Sequence, residues 1–122
     1  MGTVTLTNQS NPIGTKVVKI QAPNNTADAN FTGASGTLYM LQIDNTNNSG
    51  VVYVKFYDTA GSITVGTANP NYQFRADGST LHTLVFPKGL TFAVGFTHVC
   101  VTNVAPGTTA PGSAVTIRYI TT

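Results

Sequence analysis

Apolar and polar residues alternate along much of this chain. A period of two places successive side chains on opposite faces of an extended strand. The first such run covers residues 3–7, with Val4 and Leu6 on one face and three threonines on the other. A second covers 15–20. Runs at 38–45 and 51–57 flank Thr46-Asn47-Asn48-Ser49-Gly50, an Asn/Gly-rich connection suited to a hairpin. In the first of these, Tyr39, Leu41 and Ile43 form the expected inward set, with Gln42 and Asp44 outward. In the second, Val52, Val54 and Phe56 share one face. Val51, Tyr53, Lys55 and Tyr57 share the other, which Lys55 marks as at least partly wet.

Short strands are predicted at 62–65 and 72–75, around Gly66-Thr67-Ala68-Asn69-Pro70. After an Asp77-Gly78 turn signal, 81–86 reads as a strand. Pro87-Lys88-Gly89 punctuates it, and Leu90-Thr91-Phe92 reads as a buried corner. Strands at 96–103 and 114–121 complete the set, the last with Val115, Ile117 and Tyr119 on one face and Thr116 and Arg118 on the other. Residues 22–36 form a long polar loop that Phe31 is expected to pin down, and 104–113 a Pro/Gly/Thr loop. No stretch keeps a helical period over two turns. About eight short strands in one domain, residues 1–122, indicate an all-β fold: an antiparallel β-sandwich, jelly-roll-like. The long loops suggest strands crossing between sheets and argue against an up-and-down barrel. Gly66-Thr67-Ala68-Asn69-Pro70 and Gly107-Thr108-Thr109-Ala110-Pro111 echo one another as Gly-Thr-x-x-Pro. In a chain this rich in Gly and Thr, pseudo-symmetry and coincidence explain the echo equally well.

Composition sharpens the picture. Only 8% of the 122 residues are charged, against roughly 25% in an ordinary soluble domain. Low charge weakens repulsion between copies, which suits a subunit packed in an assembly. The net charge is +2, but six dispersed basic residues make no patch, and phosphate binding needs clustered cations. No nucleic-acid partner is expected. Nor is a membrane partner, since no run approaches spanning length. Residues 1–6 lack the basic start and continuous apolar stretch of a signal peptide, so synthesis in a host cytoplasm is expected.

Candidate chemistry is sparse. One cysteine excludes an internal disulfide framework, and Cys100 sits between valines as a small buried hydrophobe. There is no Glu. Asp44, Asp58 and Asp77 occupy turn-forming places. Asp44 and Asp58 bracket the proposed hairpin, so that with Asn45 they could approach each other around a calcium ion, although no EF-hand loop is present. His82 and His98 fall on separate strands that could be neighbours, but a metal site needs three or four ligands. Cys100 and His98 share a strand face without a third group to orient them. The reading is therefore no enzyme, with no catalytic, metal or cofactor residues. The aromatics offer contact area instead, and Tyr53, Tyr57 and Tyr72 are candidates for an exposed patch. The interface set comprises Val4, Leu6, Ile13, Phe31, Tyr53, Tyr57 and Tyr72, with residues 1–36 as a docking strand and loop.

Several strings resemble a family of small virion proteins of tailed bacteriophages. They are Leu38-Tyr39-Met40-Leu41-Gln42-Ile43-Asp44-Asn45 with Val52-Tyr53-Val54-Lys55-Phe56-Tyr57-Asp58, Val65-Gly66-Thr67-Ala68-Asn69-Pro70, Phe86-Pro87-Lys88-Gly89-Leu90-Thr91-Phe92, and Gly107-Thr108-Thr109-Ala110-Pro111. The likeness is to β-sandwich proteins of the capsid cement (decoration) type, notably those of cyanophages. It covers about the last two-thirds of the chain; residues 1–36 carry none of it. What it implies is a structural protein on the outer surface of the phage head, bound to the major capsid protein and self-associated as a homotrimer. The alternative is a tail, neck or fibre component with a receptor- or glycan-binding sandwich. The absence of Trp, the usual sugar-stacking residue, weighs against the alternative.

Overall fold

A computed structural model describes residues 1–8, 14–104 and 106–122. It contains eight strands: β1 (Thr3–Asn8), β2 (Lys16–Gln21), β3 (Gly36–Asp44), β4 (Val52–Asp58), β5 (Tyr72–Ala76), β6 (Leu81–Phe92), β7 (Phe96–Val101) and β8 (Thr116–Thr121). There is no helix among the described residues. The strands form a five-stranded sheet, β1-β2-β8-β3-β6, and a three-stranded sheet, β5-β4-β7, antiparallel throughout. The all-β sandwich expected from the period-two pattern is what forms.

The chain alternates between the sheets. After β2, Asp28 makes an isolated antiparallel bridge to His98 on the free side of β7, so a one-residue strand extends the smaller sheet. Set β1 aside and count that bridge, and the orders become β2-β8-β3-β6 and Asp28-β7-β4-β5. This wrapping of two four-membered sheets is the jelly-roll arrangement.

The buried face of each sheet is the apolar half of its alternation. Val18, Ile20, Leu41, Ile43, Ile117 and Tyr119 from the larger sheet meet Val52, Val54, Phe56, Phe96 and Cys100 from the smaller, all 0–1% exposed. Aromatic rings form the centre. Phe56 meets Tyr119 edge to face at 5.2 Å, and Phe92 stacks on Phe96 at 4.2 Å between centroids.

Four local expectations are corrected. First, the runs at 38–45 and 51–57 are not a hairpin: β3 and β4 belong to different sheets, and the Asn-rich segment between them crosses the sandwich. Asn45, fully buried, explains why. Its Nδ2 donates to the carbonyls of Gly50 (2.9 Å) and Asp77 (3.1 Å), while its Oδ1 accepts from Asn48 (2.9 Å). The connection is thereby tied to the β5–β6 turn, not folded back on itself.

Second, β6 runs unbroken through Pro87. Leu38 pairs with Leu90 and Met40 with Val85, so the register shifts there. Residues 86–89 bulge from the edge opposite Tyr39. Gly89, at φ +75°, fits where a Cβ would lie 2.1 Å from Thr37. The same bulge puts Leu38 in the core and leaves Tyr39 half-exposed, against the expected Tyr39-Leu41-Ile43 inward set.

Third, residues 62–65 are not a strand; they lie in the long β4–β5 connection. Fourth, Lys55 does not mark water: the second face of β4 is closed at Lys55 and Tyr57, while Val51 and Tyr53 stay half-buried. Lys55 is 1% exposed and Tyr57 3%.

Candidate functional site

Register fixes which side chains share the outer face of the five-stranded sheet. One lateral row reads Thr7, Val17, Ile120, Met40 and Val85 across all five strands. The next reads Thr5, Lys19, Arg118, Gln42 and Thr83, and the third Thr3, Gln21, Thr116, Asp44 and Leu81. Arg118 Nη1 donates to Gln42 Oε1 at 3.3 Å, and Gln42 Nε2 to Thr83 Oγ1 at 3.4 Å. An apolar stripe thus runs beside a cationic one. Val85 is 60% exposed and Leu81 56%. Asp44 turns its carboxylate to the Thr46 hydroxyl (2.6 Å) and backbone N–H, and these hydrogen bonds hold its pKa below the usual carboxylate value.

The outer face of the three-stranded sheet is built differently. Tyr57 and Val99 lie under Ile63, Val65 and Ala68 of the β4–β5 connection, in a second small core. Lys55 reaches the Gly107 carbonyl at 3.3 Å, and burial lowers its pKa. Gly66, at φ +90°, packs against Thr108 where a Cβ would stand 2.6 Å from its methyl. The two Gly-Thr-x-x-Pro turns meet over this sheet. Asp58 anchors the far end: its carboxylate accepts the N–H groups of Ala93 (2.8 Å), Val94 (2.8 Å) and Gly95 (3.2 Å). Burial pushes its pKa up, and those three donors outweigh it to leave the carboxyl below its usual value.

The titratable groups scatter. Asp44 ends β3 and Asp58 ends β4 at the opposite end of the sandwich, so the two do not meet. His82 is exposed on β6; His98 is fully buried on β7 in the other sheet. No group of three or more His, Cys, Asp or Glu gathers among the described residues. His98 Nε2 sits 3.0 Å from Asp28 Oδ2, but off the line of a hydrogen bond, and its Nδ1 has no hydrogen-bond partner among the described residues. Burial drives the His98 pKa down against the upward pull of Asp28. Asp28 is itself 3% exposed. Burial raises its pKa, but His98 and the Gly2 N–H, 3.1 Å from both carboxylate oxygens, bring it below the usual value. Cys100 is buried and its thiol is pushed up to about 12, far from the reactive thiolate range.

The sequence-derived interface residues do not form one surface. Tyr53 is half-buried on the outer face of β4, and Tyr57 lies beneath the covering loop. Tyr72 is on the inner face of β5, its hydroxyl donating to the Thr91 carbonyl at 3.2 Å and its ring against Phe92. The expected exposed tyrosine patch is therefore absent. Phe31 does pin its loop, stacked on Tyr119 at 5.6 Å and edge-on to His98 at 5.0 Å. Val4 is half-buried against the core, and Leu6 is 38% exposed. Ile13 lies outside the described residues.

The outer row through Met40 and Val85 escaped the sequence reading. The signal was present in Leu38-Tyr39-Met40-Leu41, apolar on both faces, which marks a strand covered on both sides. Compared with known protein families, curated proteins and solved structures, the chain matches none.

Proposed function

We propose that this chain is a structural protein of a phage particle, a capsid decoration (cement) protein that lies on the head and grips the major capsid protein. The observation that carries the reading is the apolar stripe of Val17, Ile120, Met40 and Val85 across the outer face of the larger sheet, half-buried at its first three members and 60% exposed at Val85. The same chain spends two loops covering the equivalent face of its smaller sheet. Exposed apolar stripes with polar borders mark interaction surfaces. Here the border is Lys19 and Arg118, which fits a partner surface with carboxylates beside an apolar strip. The resemblance of the β3, β4, 65–70, 86–92 and 107–111 strings to phage decoration proteins supports the same reading. Binding to the assembled shell alone would stabilise it by mass action.

The test is occupancy on purified heads of the phage that encodes the chain. The double variant Met40→Glu, Val85→Lys is expected to lower occupancy at least about tenfold, ~1.4 kcal/mol in binding. Wild-type occupancy by that variant would rule out this face. Wild-type copies bound to tails and not to heads would replace decoration with the tail reading.

A further inference from the structure

β1 is an outer edge of the larger sheet. Natural edges are blunted by charge, proline, bulges or a covering segment. β6 has Pro87, Lys88 and the 86–89 bulge; β7 is covered by the Asp28 bridge; β5 is five residues long and carries Arg75. Among the described residues, β1 has none of these devices. Its six residues, Thr-Val-Thr-Leu-Thr-Asn, are uncharged and pair with β2 in unbroken register. Val4 shares a shallow cleft with Asp28, Ala29 and Phe31, and Leu6 beyond it is 38% exposed.

We infer that β1 pairs antiparallel with β1 of a second copy about a two-fold axis at Thr5, joining the two larger sheets into one of ten strands. The sequence around Thr5 is self-complementary. An antiparallel pair centred there sets Thr5 against Thr5, Val4 against Leu6 and Thr3 against Thr7 of the other copy. The outer face of the junction then carries only threonines, and the inner face carries two Val–Leu pairs that cover both copies of Leu6. Cross-strand pairs of this kind stabilise sheets. Charge does not oppose the contact. Lys19 pairs with Thr5, so the two copies of Lys19 are three strand spacings apart, about 14 Å. That exceeds the roughly 8 Å screening length of physiological salt. The assembly closes at two copies, because its outermost edges are then the bulged β6 strands. The pairing rests on the β1 edge alone and holds whatever particle the protein serves.

Sedimentation of the full chain should give twice the 12.8 kDa chain mass. Thr5→Lys sets two ammonium groups face to face and should weaken the dimer at least tenfold, with the unfolding midpoint of the monomer lowered only slightly by the new lysine's place beside Lys19. Thr5→Cys should form an interchain disulfide on mild oxidation, since two-fold partners face each other there. Thr3→Cys should cross-link only when mixed with Thr7→Cys. A monomer at every concentration, a trimer, or a dimer that survives Thr5→Lys without the Thr5→Cys cross-link would overturn the pairing.

Discussion

The two sheets of this sandwich carry outer faces of similar sequence character and opposite fates. On β4 the outward residues are Tyr53, Lys55 and Tyr57; on β3 they include Met40, Gln42 and Asp44. Both mix apolar and polar groups. Yet Lys55 and Tyr57 are buried under the 59–71 and 102–112 connections, while Val85 and Leu81 stand in water. The difference lies in where the loops return. The β4–β5 connection and Gly107 fold over the three-stranded sheet, and no such second core forms on the outer face of the five-stranded sheet among the described residues. That apolar stripe is the surface on which the proposed capsid contact rests.

Truncating the covered face gives the sharpest contrast. Tyr57→Ala removes the largest member of the second small core and is expected to cost about 3 kcal/mol of unfolding free energy. Urea unfolding monitored by fluorescence measures it. A loss below about 1 kcal/mol would mean that the loops lie on this sheet without packing against it.

A smaller effect is expected from acid, and it acts where the Asp28 segment closes the smaller sheet. The folded pKa of His98 lies below its usual 6.5, and that of Asp28 below its usual 3.8. As pH falls through 6.5 the unfolded chain takes up the histidine proton first, so stability is complete above that value and declines below it. Asp28 adds its own loss at still lower pH. The urea midpoint at pH 5 should therefore lie below that at pH 7. A midpoint equal or higher at pH 5 would show that His98 accepts its proton inside the core.

The least expected change is on the bare face. Met40→Ala and Val85→Ala should each alter unfolding free energy by no more than about 0.5 kcal/mol, as for surface positions without special contacts. Losses near those of Tyr57→Ala would mean that this stripe is part of the monomer's own packing, and the comparison between the faces would collapse.

Much of the architecture was legible. Val4, Val18, Ile20, Val54, Phe56, Ile117 and Tyr119 follow the alternation, and each packs toward the core. The turn at Asp77-Gly78 also fell where its residues indicated. Partnership between strands was not legible. The Asn-rich 46–50 segment has hairpin chemistry, but Asn45 satisfies its side chain on carbonyls 31 and 32 residues further on. Lys55 illustrates the same limit. A lysine in an alternating strand signals water, and here its stem lies buried while its ammonium finds a loop carbonyl.

By itself, then, the sequence determined that this chain would be extended throughout and which half of each strand would seek an apolar surround. Those properties depend on neighbours one and two residues away. Only the tertiary structure decided which strands pair, which outer face is covered and which edge is left open. These depend on loops returning from distant parts of the chain, and their contacts have no periodicity that a local pattern can carry.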